Sequence, residues 1–385
     1  LRELQGSLTQ KTDYMKLDKL DVITPLSISS ALTQIDGVQM ASYGPLNSKP
    51  VIRGMQGMRV VTFLNGMRIN NQQWGGDHGL GISQVGMESA EVIKGPMSLI
   101  YTGDATGGLL YIKDGSFAPQ NTYSIQMNTQ FESVNKGSQN SLVYKVSGKK
   151  FRMSAAGIFS SYADYAVPDG GYLSDSRMQD YGGKFKLGYN SGKWNFELNY
   201  LYSNSRVGIP GHTHDTLATP ASFIIEEQDR GFSLPNQKIQ NHFANIKASY
   251  FLNSKNKMEF YLNHGYNNLK EFEEKIFTPG IDMYLNASSF QVRHHWNPNK
   301  NLQVLSGIQA SAQSNNNGIK AEERLIDDSD QYDVGLYSSL SYDFGGLKFN
   351  TVIRLDQRAV RSSNFNNDYP NINASIGIRK EWKAQ

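Results

Sequence analysis

Along its apolar and polar positions, the chain changes character near residue 117. Beyond that point the two kinds of side chain alternate with period two, stretch after stretch. Trp194, Phe196, Leu198, Tyr200 and Tyr202 alternate with Asn195, Glu197, Asn199 and Leu201. Tyr332, Val334, Leu336, Ser338, Leu340, Tyr342 and Phe344 keep the same rhythm. Successive side chains of a strand point to opposite faces, so this alternation predicts strands with one apolar and one polar face. Such segments fall at about 121–133, 141–149, 151–164, 180–190, 193–204, 238–252, 257–268, 287–297, 301–314, 330–343, 346–358 and 371–382. Each is near or above the ~9–11 residues that a tilted strand needs to cross a bilayer. Tyr, Phe and Trp gather toward the strand ends, where aromatic girdles sit. Short polar turns at 190–192, 253–256 and 345–346 take turns with long loops at about 164–180, 205–237, 269–286, 315–329 and 359–370. Short turns on one side and long loops on the other predict a transmembrane antiparallel β-barrel wall.

Residues 1–117 read differently, as a compact α+β domain. Residues 27–35 have helical spacing and serines suited to capping. Short β-like runs follow at 50–52, 60–64, 90–93 and 109–112, the second closed by an Asn65-Gly66 turn. Gly54, Gly57, Gly66, Gly95, Gly107 and Gly108 punctuate them. The resulting division is 1–117 and 118–385.

Composition narrows the function. Hydrophobic residues are only 38% of the chain, and no apolar run is long enough for a transmembrane helix. A β-barrel remains compatible with that, because its strands average out as hydrophilic. With 38 basic and 35 acidic residues the net charge is +3, and no basic block of a nucleic-acid binder occurs. The absence of cysteine excludes disulfides, thiolate metal sites and cysteine nucleophiles. No G-x-x-x-x-G-K-[ST] loop is present, so the sequence carries no nucleotide-binding loop of that type. Neither a nucleophile elbow nor a convincing Ser/His/Asp set is found, which argues against an enzyme. A soluble sandwich or propeller would also alternate its faces, but would not explain the loop asymmetry.

Two stretches carry a family resemblance. PVIRGMQGMRVVTFLNGMRIN (50–70) and ESAEVIKGPMSLIYTGDATGGLLYIKDG (88–115) resemble, in order, the two signature segments of the plug of TonB-dependent receptors. The resemblance implies a plug inside a barrel of about 22 strands, of which about 12 are present here. It also implies the outer membrane of a Gram-negative bacterium, outer-membrane lipid around the wall, and active import driven by the TonB complex, with no cofactor required. The last residues lack the terminal aromatic of such barrels, so the sequence is expected to be part of a longer one. A plug must meet a polar lumen, and Arg53, Arg59, Arg68 and Lys94 are expected to donate to carboxylates of the wall.

A finer resemblance concerns the cargo. The loop NNQQWGGDHGLGISQV holds Asp77 and His78, and YADYAVP (162–168) and VGIPGHTHD (207–215) follow. Together these look like the zinc-uptake branch of the family, in which an Asp-His pair of the plug faces the pore. His is the commonest zinc ligand. His212 and His214 are two apart and point the same way in an extended segment, with Cα atoms ~7 Å apart. Asp215, Glu226 or Glu227 can add oxygen ligands. Glu322, or Glu323 if the alignment slips by one, matches a barrel glutamate of that branch. The metal-ligand set is therefore Asp77, His78, His212, His214, Asp215 and Glu322. His242, His264, His294 and His295 are read as interfacial or lumen-wall residues. The loop after His214 has no Cys or further His, which leaves copper or a metal chelate open. Rival cargoes are an iron-siderophore, haem or an oligosaccharide; a passive porin is the rival mechanism.

Overall fold

The computed structural model describes residues 13–16, 27–42, 46–71, 78–94, 96–168, 170–211 and 216–380. Its N-terminal part contains β1 (Asp13–Lys16), α1 (Ile28–Leu32), β2 (Val38–Ser42), β3 (Ser48–Ile52), β4 (Val60–Leu64), β5 (Met67–Ile69), β6 (Met87–Ile93) and β7 (Gly108–Asp114). Ser27 caps α1: its hydroxyl accepts from the Ser30 N–H, and the Ser30 side chain answers at the Ser27 backbone. The main sheet runs β1-β6-β7-β4-β5, with β4 and β7 parallel and the other pairs antiparallel. β4 and β5 are joined by the Asn65-Gly66 turn, both residues at positive φ (53° and 92°). A Cβ on Gly66 would also stand 3.0 Å from the Tyr261 ring of the wall, so glycine is required there twice over.

Both faces of this sheet are apolar. One packs β6 and β7 against α1 and β3, through Ile28, Leu32, Ile52, Val92, Leu110 and Ile112. The other packs Val61, Phe63, Leu109 and Tyr111 against Ile100 and Tyr101, at the end of the 3-10 turn Pro96–Ile100. Each cluster is completed by side chains of the wall: Ile158, Leu201 and Phe243 on the first, Leu305, Tyr337 and Val352 on the second.

The wall begins with β8 (Thr122–Glu132), β9 (Gly137–Ser147) and β10 (Phe151–Tyr162). Three short strands, β11 (Tyr165–Ala166), β12 (Tyr172–Leu173) and β15 (Ile224–Ile225), form a small separate sheet linking the connections 163–177 and 209–235. The wall itself continues with β13 (Met178–Ser191), β14 (Trp194–Gly208), β16 (Asn236–Asn253), β17 (Asn256–Phe272) and β18 (Ile281–Asn299). It ends with β19 (Leu302–Asn317), β20 (Ser329–Asp343), β21 (Leu347–Ser362) and β22 (Asn366–Lys380). Each wall strand pairs antiparallel with the next in a single 12-stranded sheet, with β8 and β22 at its edges. No helix among the described residues is long and apolar enough to cross a membrane.

The alternation falls as expected. Phe196, Leu198 and Tyr200 stand on the outer face, each 40% exposed, while Asn199 and Ser203 are buried against the N-terminal domain. Short turns at 148–150, 192–193, 254–255, 300–301 and 344–346 share one rim, and longer connections at 163–177, 209–235, 273–280 and 318–328 share the other. The long loop expected at 359–370 is absent: β21 and β22 continue into it and leave only 363–365 as a turn. Its Asn, Ser and Asp residues lack apolar alternation, yet the backbone ladder persists, and Arg361 pairs with Asp368 at 2.5 Å across it.

Candidate functional site

The site begins with the segment 78–81, which hydrogen bonds fix between plug and wall. The Leu80 N–H donates to the Ser48 carbonyl (2.8 Å), and its carbonyl accepts from Asn71 Nδ2 (2.7 Å). The next carbonyl, of Gly81, accepts from Asn241 Nδ2 of β16 at 2.7 Å. So held, His78 is 2% exposed and places Nε2 3.2 Å from Oε2 of Glu271, near the end of β17. Gln237 of β16 donates to the same oxygen at 2.9 Å. Gln237 and Glu271 are register partners, and Ile239, Leu269, Ile281 and Met283 form an apolar floor beside them. A histidine and a carboxylate thus meet in a dry setting on the rim that carries the long connections.

Of the expected ligand set, Asp77, His212, His214 and Asp215 lie outside the described residues. The connection bearing the latter three leaves β14 where Val207 pairs with Gln237 and Gly208 with Asn236, one strand from Glu271. Glu322 sits elsewhere on that rim, on the 318–328 connection, where it is an exposed ion-pair partner of Lys275. Among the described residues no three His, Asp or Glu side chains converge as a metal cage. Sequence reasoning passed over Glu271 and Gln237. Glu271 falls in KEFEEK, which reads as a solvated charge run; the available signal was parity, since it shares its face with Asn263 and Asn267.

Of the remaining histidines, His242 lies tilted or edge-on among Tyr200, Tyr202 and Tyr266 on the outer face, His264 and His294 bond to Ser288 and Asn256, and His295 meets Glu259 at 2.8 Å within the lumen.

Two of the four cations expected to reach the wall are used within the plug. Arg68 and Lys94 serve carboxylates of their own domain, Asp104 (2.6 Å) and Asp13 (2.8 Å). In the Lys and Arg pairs that cross the boundary among the described residues, the plug supplies the anions: Asp104 meets Arg358 at 2.7 Å, and Asp114 meets Lys184. Arg68 lies on the edge strand β5, and the carboxylate it meets comes from the connection that precedes β7 in the same domain. Burial pushes the Asp104 carboxyl up, but Arg68 and Arg358 together hold it down at about 2. Around this pair opens a cavity of about 420 Å³, lined by Arg68, Asp104, Asp333, Arg354, Asp356 and Arg358 among others.

Known proteins share the fold that holds these residues. Residues 5–109 match the family of the TonB-dependent Receptor Plug Domain. The vitamin B12 transporter BtuB of Photobacterium profundum is 32% identical over 96 residues, 25% of this chain and 16% of that transporter. The FrpB iron transporter of Neisseria meningitidis (F3-3 variant) superposes with a TM-score of 0.81 at 13% identity, covering 97% of this chain and 63% of its own. The copper transporter OprC gives 0.76 at 13% identity, covering 95% and 59%. The chain therefore spans a minor part of the first relative and about three-fifths of the two structures, and its fold is that of a TonB-dependent receptor. These receptors are proteins of the Gram-negative outer membrane, and that is the setting of this chain.

Proposed function

We propose that this chain, a TonB-dependent receptor plug with its stretch of barrel wall, serves the energised import of a transition metal ion, zinc foremost. The observation that carries the reading is the buried contact of plug His78 with wall Glu271. A carboxylate that accepts an imidazole N–H of a metal-binding histidine orients the ring toward the ion. Asp77 adjoins His78 in sequence, and His212, His214 and Asp215 belong to a connection that starts one strand away. A site split between plug and wall suits transport, because moving the plug separates its ligands and releases the ion. The TonB complex would supply that force.

Zinc titration of the detergent-solubilised chain by calorimetry tests this. His78→Ala and Glu271→Gln are each expected to weaken binding by about 10–100-fold. Unchanged affinity in the double variant, or no zinc binding by the parent, would remove the zinc reading. A second reading, import of an iron chelate, rests on the 420 Å³ cavity, where Arg68, Arg354 and Arg358 paired with Asp104, Asp356 and Asp333 offer both signs of charge to a polar ligand. Ferric citrate binding that Arg358→Gln weakens and His78→Ala leaves unchanged would establish it instead.

A further inference from the structure

At the opposite rim, among the short turns, a second plug–wall cavity of about 210 Å³ is lined by groups that the import reading leaves unused. Arg293 of β18 points into the lumen, 5% exposed, its guanidinium over the rings of Tyr101 (5.1 Å) and Tyr261 (5.2 Å). Its Nε and Nη2 have no hydrogen-bond partner among the described residues, and neither has the hydroxyl of Tyr101, which is 1% exposed. Both residues line the same space.

Its charges do not balance. Lys113, Lys247 and Lys257 line the cavity with Arg293. Against them stand Glu259, which Lys247 (3.0 Å) and Lys257 (3.3 Å) share, and Glu91, which Lys113 approaches at 3.6 Å. Those carboxylates are engaged by the lysines and by His295, and Arg293 has no carboxylate partner among the described residues. Aromatic faces attract a guanidinium but accept no N–H in its plane. Leaving such donors and such a charge buried without an anion is costly. Water can satisfy the donors, but it brings no charge.

We infer that this cavity is a binding site for a small oxyanion, of phosphate or carboxylate chemistry, held by Arg293 and the Tyr101 hydroxyl between plug and wall. Tyr101 comes from the plug and Arg293 from the wall, so the anion ties the two together at the rim away from His78. The proposal does not depend on the nature of the cargo.

Calorimetry on the full detergent-solubilised chain, with inorganic phosphate and citrate titrated separately, tests it. The parent chain is expected to bind at least one of them, phosphate alone marking a phosphate site and citrate alone a carboxylate site. Arg293→Gln is expected to lose at least about tenfold in affinity, as for a hydrogen bond to a charged partner. Tyr101→Phe, which removes one oxygen and keeps the packing, is expected to lose several-fold and carries the test should Arg293→Gln fail to fold. Failure of the parent to bind either anion, or equal binding by parent and Tyr101→Phe together with any folded Arg293→Gln, overturns the assignment.

Discussion

The N-terminal domain and the wall bury opposite chemistries. In the domain, Leu109, Leu110 and Ile112 lie at the centre, all inaccessible, and the sheet is sealed by apolar side chains on both faces. The wall buries its polar face: Asn199, Asn245, Asn263 and Ser289 are register partners in four adjacent strands, and amide hydrogen bonds run along the row. Its outer face carries Leu198, Tyr200, Leu262, Phe290 and Leu336, and the apolar side chains that turn inward, such as Leu201, Phe243 and Leu305, pack on the domain. A buried leucine is therefore a core residue in the first region and a boundary residue in the second. Conversely, a buried asparagine in the wall marks the lumen, not a defect. Burial alone does not identify a core; burial with its chemistry does.

The sharpest way to break this comparison is at the boundary, where the two schemes must agree. Lys184 of the wall and Asp114 of the plug are both nearly inaccessible and form an ion pair. Lys184→Met is expected to destabilise the docked plug by about 3–5 kcal/mol, the cost of leaving a buried carboxylate without its partner. Lys184→Met with Asp114→Leu should recover most of that. Urea unfolding in detergent, followed through the plug, would show it; a single variant costing under about 1 kcal/mol would mean that water enters this boundary.

The next effect separates the two kinds of leucine. Leu110→Ala empties a closed core and is expected to cost about 2–5 kcal/mol. Leu336, 55% exposed on the outer face, should tolerate Ala with little loss. Leu336→Arg is expected to cost about 2–4 kcal/mol in a bilayer if it lies near mid-depth, and far less in a solvent without a hydrocarbon core. Equal cost in both media would deny the lipid-facing assignment.

Much of this was legible in the sequence because period-two patterning is local. Every segment read as a strand beyond residue 117 is a strand of the wall, and the Asn65-Gly66 turn follows from two adjacent residues. The errors arose where the local signal stops. At 359–370 the strands project beyond the apolar zone, so Asn and Asp replace the alternation while the ladder continues. The partner of His78 lies 193 residues away, and nothing near either residue announces the other. The same holds for Arg358 and Asp104, 254 apart. A sequence shows which side chains face a lumen, but not which part of a plug stands opposite them. For that reason the Lys and Arg pairs Asp104–Arg358 and Asp114–Lys184 carry their anion on the plug and not on the wall.

The smallest effect concerns Asp104, whose two arginines come one from each region. Its carboxyl is held at about 2, against an ordinary value of 3.8, so its contribution is complete above about pH 4 and is lost as pH falls through 2. The group is 30% exposed, so screening reduces the worth of the pair to roughly 1 kcal/mol. Asp104→Asn should thus lower the unfolding free energy at neutral pH by that amount. The gap between parent and variant should narrow between pH 4 and 2 and close below it. Arg68→Gln, which removes only the plug's own partner, should leave part of the gap in place, because Arg358 still reaches across. A gap that Arg68→Gln abolishes entirely would mean that Asp104 belongs electrostatically to the plug alone and does not join it to the wall.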